Sequence, residues 1–157
     1  MQKTNAMRSL DKGKIEYKVY EYECKDGKID GVAVANKLSQ DVKRVFKTLV
    51  AQGNSKELYV FVIPVEEELD LKKAARVAGE KKIELINVKD INKFTGYIRG
   101  GCSPLAMKKQ YRTFIHISSS ELDKIIFSGG KIGLQIEADP KEVLGLINGK
   151  FEDIIMK

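Results

Sequence analysis

Two β-branched, apolar runs, Val45 to Ala51 and Leu58 to Val65, stand on either side of Gln52-Gly53-Asn54-Ser55. Runs of this length and composition are strands of a sheet interior, and a short polar link containing Gly and Asn predicts that they pair as a hairpin. The pair forms the centre of any fold available to this chain.

The flanking sequence alternates helix and strand signals. Thr4 or Asn5 can cap a first helix through Leu10, closed by Gly13. Tyr17 to Glu23 alternates aromatic or apolar with polar residues, with a slip of phase after Val19 that predicts a strand with a bulge or one at a sheet edge. A looser stretch, Cys24 to Asp30, leads into a short helix from Gly31 to Leu38 behind an Asp30 cap. Asp70 precedes Leu71, Ala74, Ala75 and Ala78, the spacing of one helical face, and Gly79 ends that helix. A strand at Ile83 to Ile86, a helical turn from Asp90, strands at Thr113 to Ile117, Ile125 to Ser128 and Gly133 to Ala138, and a closing helix from Asp139-Pro140 complete an α+β chain.

With 157 residues, 43% hydrophobic and 32% charged, the chain has the size and balance of one compact domain spanning residues 1–157. No apolar run approaches the roughly 20 residues that cross a bilayer, and the N-terminal segment lacks the apolar stretch of a secretory signal. A cytoplasmic protein without membrane partners is expected. Cys24 and Cys102 lack CxxC spacing, which favours free thiols over a zinc site or disulfide. The net charge of +6, from 28 Lys and Arg against 22 Asp and Glu, favours anionic partners such as RNA.

Standard catalytic machinery is missing. The only histidine, His116, lies within an alternating strand, and no G-x-S-x-G elbow occurs. Cys102 has no adjacent base to lower its pKa, so a packed thiol is favoured over a nucleophile. The acids Glu66, Glu67, Glu68 and Asp70 read as a solvated approach to a helix N-terminus, and neither metal nor cofactor is expected. Lys47 is the anomaly: it sits within Val45-Phe46-Lys47-Thr48-Leu49-Val50, where an unpaired ammonium is costly unless its stem snorkels to the rim. Two glycine loops, Thr95 to Pro104 and Ser128-Gly129-Gly130-Lys131-Ile132-Gly133, match no nucleotide-phosphate motif. Each is either an ordinary turn or a place where backbone N–H groups approach a ligand.

Five segments occur in one order: Lys3-Thr4-Asn5-Ala6, the Lys47 strand, Glu68 to Ala75, Thr95 to Pro104, and Ser128 to Gly133. Together they resemble the YbaK/EbsC family of aminoacyl-tRNA deacylases, near the branch acting on cysteinyl-tRNA(Pro) and cysteinyl-tRNA(Cys). The resemblance implies a mixed, partly barrel-like sheet with surrounding helices. It implies that Lys47 is the essential lysine and Tyr22 an aromatic hydroxyl orienting the substrate. It also makes Thr48, Gly100, Gly101, Ser128 and Gly130 positions lining the amino-acid site, with Gln135 where relatives often carry aspartate. Cys24 stands where relatives often have histidine and Ala106 where they often have glycine.

The function implied is release of cysteine from mischarged tRNA, with the substrate's own thiol as nucleophile and no protein nucleophile required. The partner is aminoacylated tRNA, with a prolyl-tRNA synthetase compatible as a second partner and DNA not expected. Three other readings stay open: a deacylase for another small amino acid such as alanine, a non-catalytic RNA-binding module, and a Schiff-base enzyme using Lys47.

Overall fold

The computed structural model of the chain describes residues 2–23, 27 and 31–157. The Cys24 to Asp30 stretch, with its Asp30 cap and the departure at Cys24, falls outside them apart from Gly27.

The expected hairpin is β2 (Phe46–Gly53) against β3 (Leu58–Pro64), in antiparallel register from Phe46↔Pro64 to Gln52↔Leu58. Its turn is shifted by a residue from the sequence reading. Gly53 N–H donates to the Glu57 carbonyl, leaving Asn54, Ser55 and Lys56 as the loop, with Lys56 in the left-handed region at φ 77°. A residue there is the usual end of a three-residue hairpin loop.

The pair extends into a mixed five-stranded sheet of order β4-β2-β3-β5-β8. β4 (Ile83–Leu85) joins β2 antiparallel, and β5 (Arg112–His116) runs parallel to β3. β8 (Lys150–Glu152) runs parallel to β5. This last strand was not anticipated: Lys150, Phe151 and Glu152 are too few for a periodic signal, and their pairing is set by β5. A second, antiparallel sheet has the order β1-β7-β6, from β1 (Tyr17–Glu21), β6 (Ile125–Ser128) and β7 (Leu134–Ala138). A parallel bridge between Val45 and Ile126 links the two sheets, giving the partly barrel-like form.

The β1 register runs unbroken from Tyr17↔Ala138 to Glu21↔Leu134, so the phase slip is not a bulge. Tyr17 and Val19 pack on the main core, whereas Tyr20 lies on the face of Gln135. β1 is instead the edge strand of the smaller sheet, the other arrangement the slip predicts, with Tyr17 and Tyr20 partly buried.

The main core lies between the sheets, where Phe46, Val50, Val60 and Val62 meet Phe127, Leu134 and Ile136. α1 (Asn5–Lys12) contributes Ala6, Met7 and Leu10, and α5 (Pro140–Leu146) contributes Val143. On the opposite face of the larger sheet, Tyr59, Phe61, Ile63 and Phe114 pack on Ala74, Ala75 and Ala78 of α3 (Leu71–Ala78). Asp70 accepts from Lys72 and Lys73 N–H, and left-handed Gly79 ends α3, as the sequence predicts. α2 (Gly31–Lys37) and α4 (Ile91–Thr95) flank the region described next. Among the described residues no helix is long and apolar enough to cross a membrane.

Replacing left-handed Lys56 by glycine removes the Cβ penalty while adding unfolded-chain entropy. Lys56→Gly is expected to raise stability by about 0.5–1 kcal/mol in urea titration, and a loss of stability would show that the loop does not hold this conformation.

Candidate functional site

The site arises where β2 has a partner on one side only. β2 pairs with β3 from Phe46 to Gln52, but β4 covers its other edge only from Ala51 to Gly53. Val65 N–H donates to the Val45 carbonyl and Gly53 N–H to the Glu57 carbonyl, so the backbone groups of odd-numbered β2 residues face β3. Those of Thr48 therefore point to the uncovered edge. A cavity of about 640 Å³ lies along it.

Lys47, Thr48, Gly100, Ser128 and Gln135 all line this cavity. Ser128 and Gln135 are cross-strand partners on the face of the smaller sheet that turns away from Leu134 and Ile136. The sequence reading did not single out Gly31, Val34, Val65 or Arg99, which also line it. Gly31 had a detectable signal, since a glycine at a helix start marks close approach. A Cβ there would lie 2.2 Å from Val65 Cγ1, so only glycine lets α2 close the wall.

Gly101 and Gly130, expected as lining positions, and Tyr22, expected to orient the substrate, are not among the described residues of the cavity wall. The two glycines stand behind it. A Cβ on Gly101 would lie 3.1 Å from Ile132 N and 3.2 Å from Lys131 Cα, so the two glycine loops meet backbone to backbone. Gly130, at φ 97°, lies against Tyr97, and its N–H donates to Ser128 Oγ. Tyr97 in turn donates its hydroxyl to the Leu105 carbonyl. Thr4 Oγ1 accepts from Met7 N–H as the α1 cap and donates to the Gly129 carbonyl at 2.6 Å. Tyr22 N–H donates to the Gly133 carbonyl, and its ring lies 5.9 Å from Lys37 Nζ. Ala106 adopts φ 58°, a conformation glycine takes without strain.

Polar groups in this region lack internal partners. Among the described residues, Thr48 Oγ1 and Tyr22 OH are buried without a hydrogen bond. Burial of such groups is unfavourable unless something pairs with them. Among the described residues the Lys47 ammonium forms no salt bridge, and burial pushes its pKa down, opposed by the carboxylates of Glu68 and Glu67. Cys102 also lines the cavity, but burial raises its thiol to about 11, with a Thr95 hydrogen bond opposing, so it stays protonated at neutral pH. His116 is absent from the cavity; its Nδ1 accepts from Ile154 N–H at 3.3 Å, and burial lowers its pKa. Among the described residues no group of three His, Cys, Asp or Glu side chains could hold a metal.

Together the fold and cavity define a domain whose described residues offer a small ligand neutral hydroxyl and amide groups beside two cations, Lys47 and Arg99, without a conventional nucleophile. The aminoacyl-tRNA editing domain matches residues 30–146, and the chain belongs to that family. It is 46% identical, over 99% of its length and 95% of the relative's, to EbsC of Enterococcus faecalis, provisionally named a Cys-tRNA(Pro)/Cys-tRNA(Cys) deacylase. The hypothetical protein APE2540 superposes with TM-score 0.89 at 18% identity, covering 98% of this chain and 100% of that one. A structure provisionally titled a trans-editing enzyme for prolyl tRNA synthetase superposes with TM-score 0.86 at 22% identity, with both chains fully covered.

Two consequences can be measured. The lowered pKa of Lys47 means that its charge opposes folding in full below that pKa, and that this penalty falls away as pH rises from there to the ordinary lysine value of 10.5. Lys47→Met is therefore expected to unfold at the same or a higher temperature at pH 7, and the difference from wild type should shrink as pH rises toward 10. A marked fall in melting temperature would give Lys47 a structural role instead. Gly101→Ala should separate the two loops and weaken small-ligand binding at the cavity. Unchanged binding by calorimetry would show that the Lys131-Ile132 backbone yields freely.

Proposed function

We propose that the protein is an aminoacyl-tRNA deacylase that removes cysteine from mischarged tRNA(Pro), and from tRNA(Cys) as well. The observation that carries this reading is one cavity lined by both the partly dehydrated Lys47 ammonium and the Thr48 hydroxyl, which has no partner among the described residues, and whose only described thiol is held protonated. The name of the relative at 46% identity supports cysteine as the amino acid.

Residues 1–157 act in this reading as one editing domain in the cytoplasm, where charged tRNA is used, with a prolyl-tRNA synthetase as the enzyme whose errors it corrects. Ser128, Gln135 and Thr48 hold the aminoacyl group, and the Gly100 backbone approaches the ester. Gly101 and Gly130 fix the loops behind them, and Tyr22 braces the turn at Gly133. Because the described residues supply no reactive nucleophile, the substrate thiol attacks its own carbonyl carbon. A carbon–sulfur bond forms as the carbon–oxygen bond to the terminal ribose breaks, the proton given up by the thiol ends on the ribose oxygen, and cysteine leaves as its thiolactone, which water then opens. Lys47 stabilises negative charge developing at the ester as that bond breaks.

A second site is useful here because a synthetase pocket separates amino acids of similar size by only about 1–3 kcal/mol. The test follows ester loss from cysteinyl-, alanyl- and prolyl-tRNA and the chemical form of the released amino acid. Loss from the cysteinyl substrate alone, reduced at least about 100-fold in Lys47→Ala, is expected. Loss from alanyl-tRNA at a comparable rate would exclude thiol assistance, and no loss from any substrate would leave an RNA-binding module.

A further inference from the structure

The charges around the cavity mouth are unevenly divided. Beside Lys47 the chain carries Glu66, Glu67 and Glu68, whose last two carboxylates act on the lysine. On the side of the glycine loops the charges are basic. Arg99 lines the cavity and is exposed. Lys131 is exposed in the turn whose backbone touches Gly101. Lys108 is exposed next to Gly96, with its Nζ donating to the Lys93 carbonyl at 3.3 Å. None of these cations forms an ion pair among the described residues. Ile98, 56% exposed, adds an apolar contact beside Arg99.

Three cations without ion pairs among the described residues, Arg99 and Lys131 on the two abutting glycine loops and Lys108 packed beside Gly96, form a basic ledge at the cavity, whereas the acids gather on the side of Lys47. We propose that the single-stranded 3′ end of tRNA runs along this ledge, its phosphates against Arg99, Lys108 and Lys131, and enters the cavity from the glycine-loop side. The inference rests on the deacylase reading for its ligand, but binding can test it separately from catalysis. Phosphate contacts position a strand without reading sequence, so the ledge fits the shared end of every tRNA and leaves discrimination to the cavity. Its interactions must weaken as salt rises.

The experiment measures binding of uncharged tRNA, with and without its terminal CCA, to the full-length protein across a salt series. The expected result is that Lys108→Glu with Lys131→Glu weakens binding of intact tRNA at least about tenfold at low salt and lowers the slope of log affinity against log salt by about 1.4, as for two single-strand contacts. Lys72→Glu with Arg76→Glu, on exposed positions of α3, should bind as wild type does. Truncated tRNA should bind wild type more weakly and barely distinguish the ledge variant. Equal weakening by the α3 pair, or equal wild-type binding with and without CCA, would overturn the proposal. A wild type that follows this binding pattern but hydrolyses no charged tRNA would retain the ledge and reject the deacylase reading.

Discussion

The unequal pairing of β2 governs the molecule. From Phe46 to Gln52 the strand is held by β3, which is buried on both faces and anchors two separate apolar clusters. On its other side β4 supports only Ala51 to Gly53. An uncovered strand edge presents backbone groups that need partners, and natural proteins cover such edges with helices or loops. Here α2 and the Thr95 to Pro104 loop stand over the edge without filling it, and the cavity is the space between. Rigidity of the hairpin and openness of the site follow from one arrangement.

That arrangement explains how a lysine persists in a central strand. On a strand paired along both sides, Lys47 would have to lie beneath a packed layer; near the open edge it is half-buried and borders the cavity. Its lowered pKa and the partnerless Thr48 hydroxyl are local costs carried by a well-packed scaffold, the pattern expected where binding requires unsatisfied groups.

Much of this was legible in the sequence, for identifiable reasons. The hairpin, α3 with Asp70 and Gly79, and the Asp139-Pro140 helix start each carry their own local chemistry, and each lies where that chemistry put it. Lys47 stood out as a charge breaking an apolar run. β8 was not legible, because three residues carry no period, and the division into two sheets depends on long-range pairing. For the same reason the glycine loops could be seen while their division of labour could not: Gly100 borders the cavity, whereas Gly101 and Gly130 serve contacts between segments distant in the chain. The phase slip in β1 marked a sheet edge, one of the two arrangements it predicts, while an unbroken register rules out the other.

The hydrogen bond from Thr4 to the Gly129 carbonyl joins residues 125 positions apart. Contacts of such separation carry a large loop-closure cost and form only once the intervening chain is ordered. During synthesis the first helix emerges from the ribosome long before the turn it fastens. A nascent chain that has not reached that turn cannot assemble the wall behind Ser128, so the pocket matures only as the sheets close. The bond thus works as a completion lock, making an earlier-made segment wait for one made 125 residues later.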